Sequence, residues 1–298
     1  MSAPSLAFTL ASGRKRKSMV AFGRKVQNTN VIADTLQRCK EDAVLRKQGP
    51  THILRLNKDI KRSDPDRKEG TLVNVEVRDC DCVVVAKELS QLRASEVWIL
   101  NMASASRAGG GVMKGCNAQE EHLCRSSNLL PQLPQKYYPL HNPLERTHPT
   151  DIPDFKVLVT KEVCFFKVID EAYAYHVLPR AEWFTAGVLT AAAEKIQGSR
   201  CLGPSMTRFV DFLMDAAEMQ DCTHLVLSAW GCGAFGQCPD AVANCFRERL
   251  VRSERKDMTV VFAITDDHNS DDNFSAFRRV FGASACAASS RSTSTKLG

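Results

Sequence analysis

Apolar positions along the chain change period several times, and each change predicts an element. Val31, Ile32, Leu36, Cys39, Ala43 and Val44 recur at helical spacing, which predicts an amphipathic helix over residues 29–47. Short β-branched runs follow in "HILRL", "TLVNVEV" and "EVWILNM" and read as strands. From Val97 onward strand-like and helix-like patterns alternate. "VWILN" runs into a glycine-rich stretch, "NAQEEHLCRSSNLL" is helix-like, and "WFTAGVLTAAA" reads as a buried strand entering a loop. "PSMTRFVDFLMDAAEMQ" puts Met206, Phe209, Val210, Leu213, Met214 and Ala217 on one helical face. Strand "THLVLSAW", loop "GCGAFGQCP", helix "DAVANCFRERLV", strand "MTVVFAI" and helix "NFSAFRRVF" complete the series. Such alternation implies one α/β domain, with a largely parallel sheet covered by helices on both faces. Six prolines between Leu130 and Asp154 predict an irregular surface excursion there.

Composition adds limits rather than detail. The 298 residues are 44% hydrophobic and 25% charged, the balance of an ordinary globular protein, and no apolar run approaches the ~18 residues needed to span a bilayer. Twelve cysteines are scattered without a C-x-x-C pair, which argues for reduced thiols in an intracellular protein and against a zinc or other metal site. The net charge of +6 comes from Arg14, Lys15, Arg16, Lys17, Arg24 and Lys25, because removing these six leaves 34 basic against 34 acidic residues. Residues 1–25 are therefore expected to form a flexible basic arm. A nuclear-import or nucleic-acid patch and a mitochondrial presequence are the competing readings, and four adjacent basic residues fit a presequence poorly. The location expected is cytoplasm or nucleus, with the mitochondrion left open. The small, polar residues 283–298 read as a disordered tail, leaving 26–282 as the folded domain.

Two glycine-rich segments, "ASRAGGGVMKG" and "WGCGAFGQCP", follow strands, where ligands bind in open α/β sheets. Glycine permits positive φ and close backbone approach, so N–H groups of both loops could converge on a diphosphate. Neither loop is a Walker or a Rossmann fingerprint. A single such loop is more often a plain turn. Seven residues after Gly109-Gly110-Gly111 come Gln119, Glu120 and Glu121. On a helix the two carboxylates stand about 100° apart, so one can face a pocket while the other addresses a neighbouring group. The bland alternative is a solvated acidic first turn, common because acids favour helix N-termini.

The spacing GGG-x7-QEE resembles the signature of poly(ADP-ribose) glycohydrolases. "LNMASASRAGGGVMKGCNAQEEHLCRSSNLLPQL" is similar to the microbial-type branch of that family almost throughout, and "LVLSAWGCGAFGQCPDAVANCF" to its second phosphate loop. The resemblance runs over residues 25–265 with gaps. It implies a macrodomain-like three-layer α/β/α sandwich with a mixed, mostly parallel sheet. It further implies Glu121 as catalytic acid and Glu120 as its ribose-binding partner. Gln119 would open the triplet, and Asn101 would end the strand that enters the site. Gly109, Gly110 and Gly111 would surround the distal ribose and diphosphate. Gly231, Cys232, Gly233, Ala234, Phe235 and Gly236 would form the diphosphate loop, with Phe235 near the terminal ribose. Met102, Arg107-Ala108 and Glu194-Lys195 depart from the family pattern.

The implied activity is hydrolysis of ribose–ribose bonds in ADP-ribose polymer, with no metal or redox cofactor. A carboxyl acting as an acid near neutral pH needs a raised pKa, so Glu121 is expected to be partly desolvated. The expected partner is ADP-ribose polymer or an ADP-ribosylated macromolecule, with no membrane, no direct nucleic-acid contact from the core and a monomeric state. A hydrolase for single ADP-ribose groups on protein or nucleic acid, or a non-catalytic ADP-ribose-binding domain, are the alternatives.

Overall fold

Alternation along one strand organises the molecule. In β3 (Val97–Met102) the side chains of Trp98 and Leu100 pack into one core and those of Val97 and Ile99 into another, because successive residues point to opposite faces. The computed structural model describes residues 6–56, 73–141, 154–170, 174–196, 201–253, 255, 257–265 and 272–282, with side chains from residue 23. The proposed tail at 283–298 lies outside these residues.

Six further strands join β3 in one sheet: β1 (Thr51–Arg55), β2 (Asn74–Arg78), β4 (Lys156–Phe165), β7 (Phe184–Ala191), β8 (His224–Leu227) and β9 (Thr259–Ala263). Their order is β1-β4-β7-β3-β8-β9-β2. β7, β3, β8, β9 and β2 are mutually parallel, and β4 runs antiparallel to both of its neighbours. A separate hairpin pairs β5 (Lys167–Ile169) with β6 (Tyr175–Val177). Helices α5 (Met206–Glu218), α6 (Pro239–Val251) and α7 (Asn273–Phe281) cover the Trp98 face, contributing Phe209, Leu213, Phe246 and Phe277. Helices α1 (Leu6–Glu41), α3 (Cys82–Ser90) and α4 (Gln119–Ser126) cover the other through Ile32, Val83, Val85, Leu89 and Leu123. A single turn, α2 (Ala43–Arg46), follows α1. The expected three-layer sandwich with a mixed, mostly parallel sheet is what the chain forms.

Some elements differ from the sequence pattern. Residues 82–90, in which three valines follow Cys82, form a helix because Asp81 caps it, accepting from Val83 and Val84 N–H at 2.8 and 3.2 Å. The proline-rich excursion is irregular, as expected, and its described part is anchored as well as exposed. Pro131, Gln135, Lys136 and Pro139 face solvent, while Leu133 and Leu140 are buried and Leu140 N–H donates to the Ala105 carbonyl. The basic segment and the first helix are one element, since α1 begins at Leu6. The boundary expected at residue 25 falls inside it. A Cβ on Gly115 would stand 2.3 Å from the Lys25 carbonyl oxygen, so the backbones of Lys25 and Gly115 are in contact. Asn28 then donates to the Gly115 carbonyl at 3.1 Å, and Thr35 to the Arg125 carbonyl at 2.8 Å. These contacts seat α1 on the segment between the three glycines and α4.

Candidate functional site

β3 and β8 are hydrogen-bonded parallel neighbours, so the loops leaving their carboxyl ends lie side by side. The loop after β3 carries Gly109, Gly110 and Gly111 and ends in α4. Its packing explains the glycines. Gly109 and Gly110 have φ of 70° and 56°, and a Cβ on Gly110 would stand 2.6 Å from Glu121 Oε1 and 2.8 Å from Glu120 Oε2. The two carboxylates thus close over a backbone that no larger residue could supply.

Each carboxylate oxygen is gripped by a main-chain N–H. Glu120 Oε2 accepts from Ser104 at 2.7 Å and Oε1 from Gly109 at 3.1 Å. Glu121 Oε1 accepts from Gly111 at 2.8 Å, and its Oε2 from Ala118 at 2.9 Å, the backward reach of a capping box. Gly110 N–H is spent on the Arg107 carbonyl at 3.1 Å. All three glycine N–H groups are therefore occupied within the protein, which corrects the expectation that this loop offers them to a diphosphate. It orients the carboxylates instead.

Burial overturns the solvated-turn alternative. Glu120 is 2% exposed and Glu121 6%, and every residue from Glu120 to Ser126 is buried. The expected desolvation of Glu121 holds. Desolvation pushes the Glu120 carboxyl up to about 8; the Ser104 and Gly109 N–H groups and the Asn101 side chain oppose the rise, and the neighbouring Glu121 charge adds to it.

Gln119 anchors the start of α4 to the strand. Its Oε1 accepts from Met102 N–H at 2.8 Å and its Nε2 donates to the Leu100 carbonyl at 2.6 Å, so it shapes the loop and has no amide group left over for a ligand. Asn101 is fully buried at the end of β3, donates to Thr190 Oγ1 at 3.2 Å, and keeps its Oδ1 without a hydrogen-bond partner.

The second loop has the opposite character. Gly231 and Gly236 take φ of 85° and 75°. Gln237 ties the loop down, its Oε1 accepting from Gly203 N–H at 2.9 Å while its Nε2 donates to the Glu194 carbonyl; Ile196 N–H reaches the Phe235 carbonyl at 2.9 Å. Among the described residues the N–H groups of Gly233, Ala234 and Phe235 donate to no protein acceptor, and a Cβ on Gly233 would meet open space. Cys232 is half-buried, and Ala234 is exposed. The N-terminus of α6 begins three residues after Gly236, adding its partial positive charge. Glu194, a departure from the family pattern, accepts from Ser205 N–H at 2.8 Å and so helps fix the start of α5.

Residues the sequence did not single out complete the neighbourhood. Ser104 and Ala118 act through main-chain N–H groups, which carry no side-chain signal. Tyr138 has a buried hydroxyl without a partner among the described residues, its ionisation held well above the usual range by burial first and then by Glu120 and Cys124. Arg125 is fully buried one turn beyond Glu121; a charged residue at that spacing on a buried face was the signal available. Asp81, Cys82 and His122 bring ligand-type atoms within 4.8 Å of one another. Each already has a protein partner: His122 Nε2 lies 3.0 Å from Asp81, Asp81 caps α3, and Cys82 Sγ accepts from Gln119. A separate groove of 490 Å³ between α1 and β6 includes Lys167, whose Nζ is 2.7 Å from Asp34, so it presents no spare cation to an anion. No helix among the described residues is long and apolar enough to cross a membrane.

Comparison with known proteins bears on the fold and the family. The family model for the microbial-type PARG catalytic domain, PARG denoting poly(ADP-ribose) glycohydrolase, matches residues 15–168. The glycohydrolase of Thermomonospora curvata, solved with the inhibitor ADP-HPD, superposes with a TM-score of 0.67 at 24% identity, covering 86% of this chain and 99% of that one. The glycohydrolase of Deinococcus radiodurans, solved with ADP-ribose, superposes with a TM-score of 0.59 at 31% identity over 70% of this chain and 84% of that one. Curated protein sequences contain no match. By the family match and by its fold, the chain belongs to the microbial-type poly(ADP-ribose) glycohydrolases, glycoside hydrolases acting on ADP-ribose polymer.

Proposed function

We propose that Glu121 is the general acid and base in this hydrolysis, and that Glu120 holds the ribose. The observation that carries the assignment is the pair of buried carboxylates, each fixed at both oxygens by main-chain N–H groups. The bond cleaved joins the anomeric carbon of one ADP-ribose unit to a ribose oxygen of its neighbour. Glu121 donates a proton to that leaving oxygen as an oxocarbenium-like ribosyl cation develops, then takes a proton from the incoming water. Glu120, with its carboxyl up at about 8, is protonated at neutral pH. It can therefore donate to a ribose hydroxyl and accept from another.

The diphosphate is assigned to the second loop, where the N–H groups of Gly233, Ala234 and Phe235 are unspent beside the start of α6. A domain that only binds ADP-ribose gains nothing from burying two carboxylates next to a diphosphate.

The test supplies ADP-ribose polymer and a protein bearing single ADP-ribose groups in parallel to parent and Glu121→Gln. Polymer turnover in the parent, lost in the variant with binding of free ADP-ribose retained, is the expected result. Turnover of the mono-modified substrate alone would transfer the activity to that class, and parent-like polymer hydrolysis by the variant would remove Glu121 from the chemistry.

A further inference from the structure

Arg125 is 0% exposed, yet among the described residues no carboxylate lies within ion-pair distance of it. Burying a guanidinium is costly unless its donors are satisfied. They are satisfied by neutral groups from two directions. Nη1 donates to the Cys116 carbonyl at 2.7 Å and Nη2 to Asn117 Oδ1 at 2.9 Å. Nε donates to the Tyr175 hydroxyl at 3.0 Å, and the guanidinium carbon stands 5.3 Å from that ring's centroid. Tyr175 in turn bonds His122 Nδ1 at 2.8 Å, whose Nε2 lies 3.0 Å from Asp81 at the start of α3. One end of Arg125 is thereby tied to β6 and α3. The other end holds the turn Cys116–Asn117.

That turn leads straight into Ala118, whose N–H is one of the two groups gripping Glu121. The turn itself is exposed and contains no buried side chain. Besides Arg125 it is held at Cys116, whose N–H donates to the Gly111 carbonyl at 3.2 Å, while Asn117 has only Arg125 as a side-chain partner among the described residues. We propose that Arg125 is a positioning residue for Glu121, using the Cys116–Asn117 turn to fix the Ala118 N–H and hence the acid carboxylate. This rests on the assignment of Glu121 as the acid.

The experiment measures kcat and KM on ADP-ribose polymer, with calorimetric binding of free ADP-ribose, for the parent, Glu121→Gln, Arg125→Lys, Asn117→Ala and Asn117→Asp. Arg125→Lys keeps the charge but cannot reach three acceptors, and its kcat should fall about 10²-fold, the usual cost of a misplaced catalytic group. Because a buried arginine variant can fail to fold, the exposed Asn117 decides the matter. Asn117→Ala should lose roughly tenfold in kcat, with KM and ADP-ribose affinity near parent, since the second loop is untouched. Asn117→Asp restores the acceptor for Nη2 and should return most of kcat. Parent-like kcat in Asn117→Ala, a loss carried by KM alone, or no rescue by Asn117→Asp would each overturn the proposal. Parent-like turnover in Glu121→Gln would instead overturn the assignment beneath it.

Discussion

Both oxygens of Glu121 accept a hydrogen bond, from Gly111 and from Ala118, so its isosteric amide is not a silent replacement. Glutamine offers one acceptor and one NH2, and the NH2 must face a main-chain donor. An unsatisfied buried N–H costs about 1–3 kcal/mol. Glu121→Gln should therefore melt below the parent as well as lose ~10²–10⁴ in turnover, which is about 3–5 kcal/mol of transition-state stabilisation. Thermal unfolding beside polymer hydrolysis checks both. Glu120 adds a pH dependence with a definite sign. Its carboxyl is raised from 4.5 to about 8 in the folded protein, so folding favours the protonated form. The stability linked to Glu120 is complete below pH 4.5, declines as pH rises, and is gone above about 8. The difference in unfolding free energy between parent and Glu120→Gln, followed over that range, should shrink steadily with pH. A flat difference would show that Glu120 is an ordinary carboxylate.

At the level of elements, the two glycine loops do different work. Gly110→Ala puts a methyl within 2.6 Å of Glu121 and 2.8 Å of Glu120, at a φ of 56° that side chains resist. It should abolish hydrolysis by displacing the carboxylates, while Gly233→Val adds its bulk to open space. The second variant should melt like the parent and lose ADP-ribose affinity, which calorimetry and a melting curve separate. The parallel strands were legible because "VWILN", "HLVLSAW" and "VVFAI" are unbroken buried runs. α3 was left unread, because three β-branched residues carry no helical period and the cap at Asp81 decides the matter. β4 was missed too, since a bulge between Thr160 and Val163 breaks its alternation. In the site, the residue types and their order could be read directly. The use of glycine N–H groups on the protein's own glutamates could not, because a hydrogen bond between loop and helix leaves no periodicity.

Across the whole molecule, α1 links the start of the chain to the carboxylate loop. Removing residues 1–22 leaves the contacts of Lys25, Asn28 and Thr35 in place, and hydrolysis should continue. Removing residues 1–30 takes away the Lys25 and Asn28 contacts with Gly115, and kcat should fall; steady-state kinetics on the two truncations tests this. The strand order carries a further consequence, for how the protein comes into being on the ribosome. β3 lies between β7 and β8, so its first partner is not synthesised until Phe184, and β2 waits for β9 at Thr259. Pairing across such separations is slow, and the early strands spend that time with open edges. Residues 15–168, which hold Glu120 and Glu121, include only one adjacent pair of the main sheet, β1 with β4. Expressed alone, that fragment should give a circular dichroism spectrum without a cooperative melt. The buried glutamate pair is made early in translation, and meets the second glycine loop only when the last third of the chain arrives.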